Sequence, residues 1–417
     1  MGFCPDCGST DPLVEESASQ VRRVNPARVD GFDLLLEDEP PRLQLGISEL
    51  DRVLGGGLVG GSLVLVGGEP GVGKSTLLLQ AAASRVREGG SALIVSAEES
   101  PQQVGIRARR LGISQLSGRR LHLIADPDLE RIVAAASELR PDLVVIDSIQ
   151  TVVCSDVQGA PGGVTQVRES GARLLRFAKE SGIAVVLVGH VTKDGGLAGP
   201  KLLEHMVDVV LSLEGDPGHG LRVLRAQKNR FGATHVAGMF EMVNEGLTEI
   251  IDPSKTFLAD WRHDVPGTVV FPAIEGRRSI TVEVQALVVA NGSAQPRRSV
   301  RGFDNNRVHQ LLAVLQRQSE IVLSPLDVYI NVVGGWQIDE PACDLPIALA
   351  IVSSFRNLPL GSTAAWGEIG LGGEVRPVSF HGRREEEARR IGVDRIVAGR
   401  PDQRFDLRSA LLGAGLW

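Results

Sequence analysis

The 417-residue chain has few aromatic residues, few cysteines and no long apolar run. Apolar stretches such as Leu63–Val66 and Leu143–Ile146 have the length of strands, far short of the roughly 18 residues of a membrane span. The N-terminus also lacks a basic segment followed by an apolar one, so we expect no secretory signal and a cytoplasmic protein without a membrane partner. With 4% aromatic residues and Tyr329 as the single tyrosine, extensive stacking on nucleic-acid bases is not expected.

Cysteine is rare in this chain. There are four cysteines, and only Cys4 and Cys7 form a spaced pair. In a reducing compartment a C-x-x-C pair indicates metal binding or redox chemistry rather than a structural disulfide. A structural zinc site needs four nitrogen or sulfur ligands, and no further Cys or His occurs before His122. Cys4 and Cys7 are therefore candidate Zn²⁺ ligands of an incomplete site, which this segment alone does not close.

The formal net charge of -7 argues against a uniformly basic surface for nucleic acid, although it allows a local basic patch or loops repeated around a ring. Hydrophobic residues make up 43% and charged residues 23% of the chain, the balance of an ordinary globular protein. The length suggests about two to three domains. We place a poorly structured segment and linker at residues 1–40, an α/β domain at 41–255 and a second α/β domain at 256–417.

From Leu45 onward short apolar strands alternate with amphipathic helices, which predicts an α/β fold with a mainly parallel sheet covered on both faces. The predicted strands are Leu63–Gly67, Ala92–Ala97, Leu121–Ala125, Leu143–Asp147 and Ala184–Val188, and the predicted helices between them are Lys74–Arg87, Pro101–Leu111, Leu129–Leu139 and Val164–Glu180. Ligands bind at the carboxyl ends of strands in such sheets. Gly68, Glu98, Asp147 and His190 each follow the end of a predicted strand.

A glycine-rich segment predicts a nucleotide site. Gly68-Glu-Pro-Gly-Val-Gly-Lys-Ser75 matches G-x-x-x-x-G-K-[ST] between a predicted strand and a predicted helix. Glycines let several backbone N–H groups face one phosphate, and the helix N-terminus adds its positive end. Lys74 is expected to reach the β- and γ-phosphates of ATP, and the Ser75 hydroxyl to bind Mg²⁺. The predicted nucleotide-binding residues are Gly68, Glu69, Pro70, Gly71, Val72, Gly73, Lys74, Ser75 and Thr76.

Acidic residues at two further strand ends complete the predicted site. The apolar run Leu143–Ile146 ends at Asp147, where enzymes with such a loop hold the Mg²⁺ shell. Glu98 and Glu99 follow the next strand after the phosphate loop, where a carboxylate can polarise the attacking water. Glu98 is the preferred candidate and Glu99 the alternative. Acids at a solvated helix start are also favoured for structural reasons.

These motifs together resemble one family. The phosphate loop, Ser96-Ala-Glu-Glu-Ser100, Val145-Ile-Asp-Ser-Ile-Gln150 and above all Lys228-Asn-Arg-Phe-Gly232 are similar to those of the RadA (Sms) family of bacterial DNA repair proteins. The resemblance runs from Cys4 to about Val397 and implies a RecA-like ATPase domain related to DnaB, followed by a domain like the peptidase domain of Lon. It also implies a homo-hexameric ring that binds single-stranded and branched DNA, with RecA recombinase as a candidate partner, and that uses ATP for branch migration in homologous recombination.

The resemblance assigns roles around the ATP site. It implies that Glu98 is the hydrolytic carboxylate and that Gln150 and His190 sense the γ-phosphate. Lys228 is implied as the cation that completes the site of the neighbouring subunit and stabilises charge on the transferring phosphoryl group. Arg230 is implied in the same role or in contact with DNA.

The resemblance also implies DNA contacts. The loops near Thr151–Gly163 and Thr192–Lys201 would face DNA in the ring channel, and the second loop is glycine-rich and carries Lys193 and Lys201. Such cations bind phosphates without sequence preference. In the second domain the candidate phosphate contacts are Arg297, Arg298, Arg301 and Arg307.

The chain departs from the family pattern at two points. The family's zinc finger has two C-x-x-C pairs and this chain has one, so either the start is truncated or the finger has been lost. Lon-type peptidases need a serine nucleophile and a lysine base, yet Ala342 stands at the serine position and no lysine follows Lys255. Cys343 beside Ala342 has no evident base. We therefore expect the second domain to serve oligomerisation and DNA binding.

Three functions compete at this point. The first is an ATP-driven DNA motor in recombination. The second is a nucleotide-switched RecA-like binding module that does not translocate and needs the same ATP site. The third, an ATP-dependent protease, is disfavoured because the Ser–Lys dyad is missing.

Overall fold

The computed structural model describes most of the chain from residue 41 onward, and residues 41–417 form one compact unit. The described residues are 41–113, 120–189, 200–215, 220–234, 236–276, 278–290, 295–319, 321–334, 337–400 and 404–417, with only the backbone of Pro200 and Lys201. The candidate ligands Cys4 and Cys7 lie outside them. Below, the first region is residues 41–251 and the second region is residues 252–417.

The first region is built around a nine-stranded sheet. Its elements are β1 Arg42–Leu43, α1 Ser48–Leu54, β2 Leu58–Val59, β3 Leu63–Gly67, α2 Lys74–Arg87, β4 Ala92–Ser96, α3 Pro101–Arg110, β5 Leu121–Ile124, α4 Leu129–Leu139, β6 Leu143–Asp147, α5 Val164–Ser181, β7 Ala184–Val188, α6 Pro200–Met206, β8 Val209–Glu214, β9 Leu221–Asn229, β10 Ala237–Val243 and β11 Gly246–Glu249. The sheet order is β11-β10-β9-β8-β3-β7-β6-β4-β5, and β1 pairs with β2 separately. The strands from β8 to β5 are parallel, whereas β9, β10 and β11 are antiparallel.

Helices cover both faces of this sheet, which explains why its inner strands are apolar throughout. Along β3, Val64 and Val66 pack into one hydrophobic cluster and Leu63 and Leu65 into another. Successive side chains of a strand point to opposite faces, so a strand buried on both faces needs apolar residues at every position. The predicted α/β fold with a mainly parallel sheet is confirmed.

The parallel strands bring the chemical motifs to one edge. In β4 and β6, Ser96 pairs with Asp147, and Gly67 at the end of β3 lies opposite Ser212 of β8. The antiparallel β9 begins at this carboxyl edge and ends toward the opposite edge, where Lys228 pairs with Val210. The start of β9 therefore lies beside the carboxyl ends of the parallel strands, and its end lies beside their amino ends.

The second region has a six-stranded mixed sheet. Its elements are α7 Pro253–Phe257, β12 Thr268–Glu275, β13 Arg278–Ala290, β14 Arg298–Arg301, α8 Asn305–Gln318, β15 Leu326–Val332, a 3₁₀ turn Pro341–Cys343, α9 Asp344–Arg356, β16 Thr363–Trp366, β17 Glu368–Ile369, β18 Val375–Arg376, α10 His381–Ile391, β19 Arg395–Ala398 and α11 Leu407–Gly413. The sheet order is β14-β15-β13-β12-β16-β19, and β17 pairs with β18. Helix α9 is the central core helix, with ten consecutive buried residues from Asp344 to Ser353.

The two regions share a core. Val223, Ala237 and Met239 of the first sheet pack into the same hydrophobic cluster as the second sheet. Arg278 of β13 donates to the buried carboxylate of Glu49 in α1 at 3.1 Å. The division predicted between residues 255 and 256 stays a prediction. Within the described ranges, no helix is both long and apolar enough to cross a bilayer.

Candidate active site

The phosphate loop follows β3 and leads into α2, as the motif requires. Gly68, Gly71 and Gly73 have φ of 155°, 79° and 115°, a range that non-glycine residues avoid. A Cβ at Gly68 would lie 2.4 Å from the Leu213 carbonyl oxygen, and one at Gly73 would lie 2.6 Å from Cε of Met242. Glycine is thus needed both for the turn and for close packing. A cavity of about 540 Å³ adjoins the loop, lined in part by Gly68 and Leu213.

Lys74 begins α2 and is 4% exposed. Its Nζ donates to the carbonyl oxygens of Gly68 at 2.8 Å and Glu69 at 2.9 Å. Burial lowers the pKa of Lys74, while the carboxylates of Asp147 and Glu98 act in the opposite direction. The ammonium group therefore lies inside the loop, within the electrostatic reach of both acids.

Arg222 supports the phosphate loop from the neighbouring strand, a contact that the sequence does not predict. Arg222 of β9 is 5% exposed, and its Nε donates to the carbonyl oxygen of Val72 at 3.0 Å. Since β9 starts at the carboxyl edge, its first arginine reaches the phosphate loop from the neighbouring hairpin. The available signal is a cation between the apolar residues Leu221 and Val223.

The structure separates the two candidate glutamates. Glu98 accepts a hydrogen bond from Oγ of Ser148, which is fully buried directly after Asp147. Glu99 instead pairs with Arg107 on α3. Glu98 therefore belongs to the cluster around Lys74, whereas Glu99 braces a helix on the outside. From the sequence Glu98 is the preferred candidate and Glu99 the alternative, since adjacent acids give no sign of where each side chain points.

The donor set at Ser75 and Asp147 suits Mg²⁺. This ion is usually held by one or two carboxylates together with substrate phosphates, so a hydroxyl and a carboxylate beside a phosphate loop are sufficient protein ligands. Asp147 ends β6, and its carbonyl oxygen accepts from the N–H of Ala97 at 3.0 Å, which ties the two strand ends together. Among the described side chains, no group of three or more His, Cys, Asp and Glu forms a separate metal cluster.

Gln150 lies in the turn that follows β6. Its Oε1 is buried and has no hydrogen-bond partner within the described part of the chain. A buried acceptor of this kind is costly to leave unpaired, which marks the position as one that a ligand or water can satisfy. His190, the second predicted sensor, lies outside the described residues.

The two cations of the Lys228–Gly232 motif lie toward the other edge of the sheet. Nζ of Lys228 donates to the carbonyl oxygens of Glu204 at 2.6 Å and Val207 at 2.8 Å, at the end of α6. Burial, followed by repulsion from Arg230, lowers the pKa of Lys228. Arg230 contacts the buried carboxylate of Asp208 at 3.3 Å.

Asp208 also accepts from the N–H of Leu63 at 3.1 Å, at the start of β3. Lys228 and Arg230 therefore lie near the strand starts, while the phosphate loop follows a strand end. Their positions do not bring them to the phosphate loop of their own chain.

The predicted DNA contacts fall in different surroundings. Lys193 and the side chain of Lys201 lie outside the described residues. Loop 151–163 is described and contains no Lys or Arg, so any cationic contribution must come from elsewhere. Arg301 on β14 is exposed beside Tyr329, and no hydrogen bond of its guanidinium is seen within the described ranges.

Arg298 and Arg307 are engaged within the second region. The guanidinium of Arg298 donates to the carbonyl oxygens of Leu323 and Leu326 and thereby holds the turn before β15. Arg307 pairs with Asp344, which is fully buried. These contacts give both arginines structural roles, whereas Arg297 donates through its backbone N–H to Asp327 at 2.6 Å.

Ala342, for which the family resemblance implies the serine position of Lon-type peptidases, lines a second cleft of about 830 Å³ between β9 and the second sheet. Ala342 is 2% exposed there, and Val378 and Arg384 also line it. Arg384 pairs with Glu340. Burial raises the pKa of the adjacent Cys343 thiol well above its usual value, so this cysteine is not an activated nucleophile.

The chain is similar to known proteins in both sequence and structure. Residues 35–196 match the family model described as AAA domain. The chain is 46% identical over 411 residues to DNA repair protein RadA of Bacillus subtilis, which covers 95% of this chain and 88% of that protein. It is 48% identical over 408 residues to DNA repair protein RadA of Pseudomonas aeruginosa, with the same coverage. The solved ATPase domain of G40P overlaps 52% of this chain and 94% of that domain at 14% identity, with a TM-score of 0.45.

The phosphate loop, the buried lysine and the two acidic strand ends define a P-loop ATPase with a RecA-like α/β sheet. The near full-length similarity narrows this class further. The chain belongs to the family of the DNA repair protein RadA.

Proposed function

We propose that this chain is a DNA-stimulated ATPase that assembles into a homo-hexameric ring and drives branch migration of recombination intermediates in the cytoplasm. The observation that carries the proposal is the convergence of Lys74, Asp147 and Glu98 at the carboxyl edge of the first sheet, with Glu98 oriented by Ser148. This arrangement is suited to phosphoryl transfer, in which positioning and charge stabilisation do most of the work.

Each residue has a defined task in this mechanism. The backbone N–H groups of the loop and Nζ of Lys74 bind the β- and γ-phosphates, releasing the lysine from the carbonyl oxygens of Gly68 and Glu69. Ser75 and Asp147 would hold Mg²⁺, which would neutralise phosphate charge. Glu98 accepts a proton from the attacking water as the γ-phosphoryl group is transferred, and Gln150 contacts the same water or the γ-phosphate.

Lys228 and Arg230 complete the site in trans. They lie toward the strand starts, away from the phosphate loop of their own chain, so they serve a nucleotide only if a neighbouring subunit presents it to them. A cation supplied by a neighbour stabilises charge in the transition state, and it makes hydrolysis depend on assembly. The same inference supports the ring, because each subunit then needs a neighbour on both sides.

The second region is proposed to be a Lon-like domain without peptidase activity. Ala342 supplies no nucleophile, the Cys343 thiol is buried, and no lysine follows Lys255 to act as a base. DNA contacts would come from Arg301 on this region and from Lys193 and Lys201 on the first, through phosphates and without sequence preference.

Mixing two inactive variants tests the trans assignment directly. Lys74→Ala lacks a working phosphate loop but keeps Lys228, while Lys228→Ala keeps the loop but lacks the cation. Mixed rings contain interfaces at which an intact loop meets an intact Lys228, so ATP turnover with single-stranded DNA should return to roughly a quarter of wild type. Lys74→Ala mixed with the double variant is the matched control and should stay inactive.

DNA dependence is tested with the wild-type chain. Steady-state phosphate release should rise several-fold on addition of single-stranded DNA, and labelled branched DNA should be resolved only when ATP is hydrolysed. Turnover that ignores DNA would contradict the motor and favour a nucleotide-switched binding module.

A further inference from the structure

Ser148 is the point at which the catalytic carboxylate, β6 and the following loop meet. It is fully buried, directly after Asp147. Its Oγ donates to Oε1 of Glu98, which follows the neighbouring strand β4. A hydroxyl that donates to a carboxylate makes a short, charge-assisted hydrogen bond. Oγ of Ser148 therefore holds one carboxylate oxygen of Glu98.

The main chain of Ser148 contacts the loop on its other side. Its carbonyl oxygen accepts from Oγ1 of Thr151 at 2.8 Å and from the backbone N–H of Thr151 at 3.2 Å. Thr151 opens loop 151–163, one of the two loops predicted to face DNA. Farther along, the N–H of Cys154 donates to Oε1 of the buried Gln166 at 2.9 Å. The N–H of Val153 also donates to the carbonyl oxygen of Pro127 at 2.8 Å. The loop is therefore fixed at several points, and the first of them along the chain is Ser148.

We propose that Ser148 is a positioning residue that holds Glu98 in its productive orientation and transmits displacement of loop 151–163 to that carboxylate. The transmission rests on the proposed function and also on the position facing DNA that the family resemblance implies for this loop. Movement at Thr151 pulls on the Ser148 carbonyl, and the side chain of the same residue carries the shift to Glu98. A misplacement of about 1 Å at a reacting group can cost roughly 100-fold in rate, so a small displacement is sufficient.

The test is a double-mutant cycle on hydrolysis. Ser148→Ala should lower kcat for ATP by about 10- to 100-fold and leave KM within about twofold, because Lys74 and the phosphate loop are unchanged. In a Glu98→Gln background the same substitution should lower kcat no further, since its effect passes through the carboxylate. The ratio of turnover with DNA to turnover without DNA should fall toward one in Ser148→Ala.

Ser62→Ala is the matched control. Ser62 is 1% exposed, and its Oγ has no hydrogen-bond partner among the described residues, so the substitution removes a buried hydroxyl without breaking a contact. It should keep wild-type kcat and wild-type DNA stimulation, and the melting temperatures of both variants report folding.

Two results would overturn the inference while leaving the proposed function intact. The first is wild-type kcat and DNA stimulation in Ser148→Ala. The second is an equal loss of kcat from Ser148→Ala in the wild-type and Glu98→Gln backgrounds, which would show a general structural effect. A wild-type chain whose turnover ignores DNA would instead overturn the transmission together with the proposed function.

Discussion

The cleft beside the phosphate loop and the cleft around Ala342 use charged side chains in opposite ways. At the carboxyl edge of the first sheet, Lys74 lies within electrostatic reach of Glu98 and Asp147, and Glu98 is exposed. In the cleft around Ala342, Arg384 is buried against Glu340. Behind that cleft, the buried Asp344 is likewise paired with Arg307.

This difference in how the charges are paired distinguishes a reactive site from a site that stabilises the fold. A reactive site keeps charged groups where a substrate can reach them and holds them with contacts that a substrate can replace, as Lys74 holds two carbonyl oxygens. A buried ion pair already satisfies its charges, and its main consequence is that neither partner can be removed cheaply. We therefore expect the ion pairs around Ala342 to stabilise the fold, and the cleft beside the phosphate loop to bind and hydrolyse ATP.

The largest expected effect is the loss of the phosphate-loop cation. Lys74→Ala should reduce ATP hydrolysis about 1000-fold, because the charge that stabilises the transferring phosphoryl group is gone. Phosphate release measures it, and Lys255→Ala, which removes an exposed lysine of the second region, should remain near wild type. Turnover above about a tenth of wild type in Lys74→Ala would break the assignment.

A substitution in the second region should act on stability. Arg307→Ala leaves the carboxylate of the fully buried Asp344 without its cation, which should cost about 3 kcal/mol in the free energy of unfolding. Urea denaturation measures the loss, and ATP turnover at temperatures where the variant is folded should stay within about twofold. Replacing Arg307 and Asp344 together with leucine should recover part of the stability. A cost below about 1 kcal/mol would contradict the structural role.

An exposed ion pair should matter least, and its effect should depend on pH. Asp252 pairs with Arg390 at 2.8 Å, and this contact lowers the pKa of Asp252. The folded state therefore favours the ionised acid, so the contribution is present above the ordinary aspartate pKa of about 4 and is lost as pH falls through the lowered value.

Asp252→Asn keeps an acceptor for the N–H of Lys255 but removes the charge. It should cost about 0.5 kcal/mol at pH 7, and the cost should vanish at low pH. Denaturant midpoints of the variant and the wild type, measured from pH 7 to pH 3, give this cost in stability. A cost that does not change with pH would mean that the hydrogen bond from the N–H of Lys255 to residue 252, at the start of α7, is what was weakened.

Much of the first sheet was predictable because both of its faces are covered. Its inner strands are uninterrupted apolar runs, so the bounds predicted for β3, α2, α4, β6 and β7 are confirmed. No strand is predicted from the sequence over Thr268–Glu275, the residues of β12, and Pro272 in its middle is unfavourable inside a sheet. The structure accommodates that proline, since β12 pairs with β16 through the single register pair Val270 and Ala364.

Contacts between distant segments could not be predicted. The motif indicates Lys74 and Asp147 because their roles are tied to fixed spacing after a strand. No spacing reveals that Arg222 reaches the carbonyl oxygen of Val72 across 150 residues, or that the side chain of Ser148 binds Glu98. Those contacts depend on which strands become neighbours and on where each side chain points.

The most direct measurement is single-turnover ATP hydrolysis by Glu98→Gln and Glu99→Gln, each with its nucleotide affinity. Glu98 lies against Ser148 within reach of Lys74, whereas Glu99 pairs with Arg107 outside the cluster. We expect Glu98→Gln to bind ATP normally and to hydrolyse it about 100- to 1000-fold more slowly, and Glu99→Gln to stay within about threefold of wild type. A large loss in Glu99→Gln with near-normal hydrolysis in Glu98→Gln would contradict the assignment of the catalytic carboxylate.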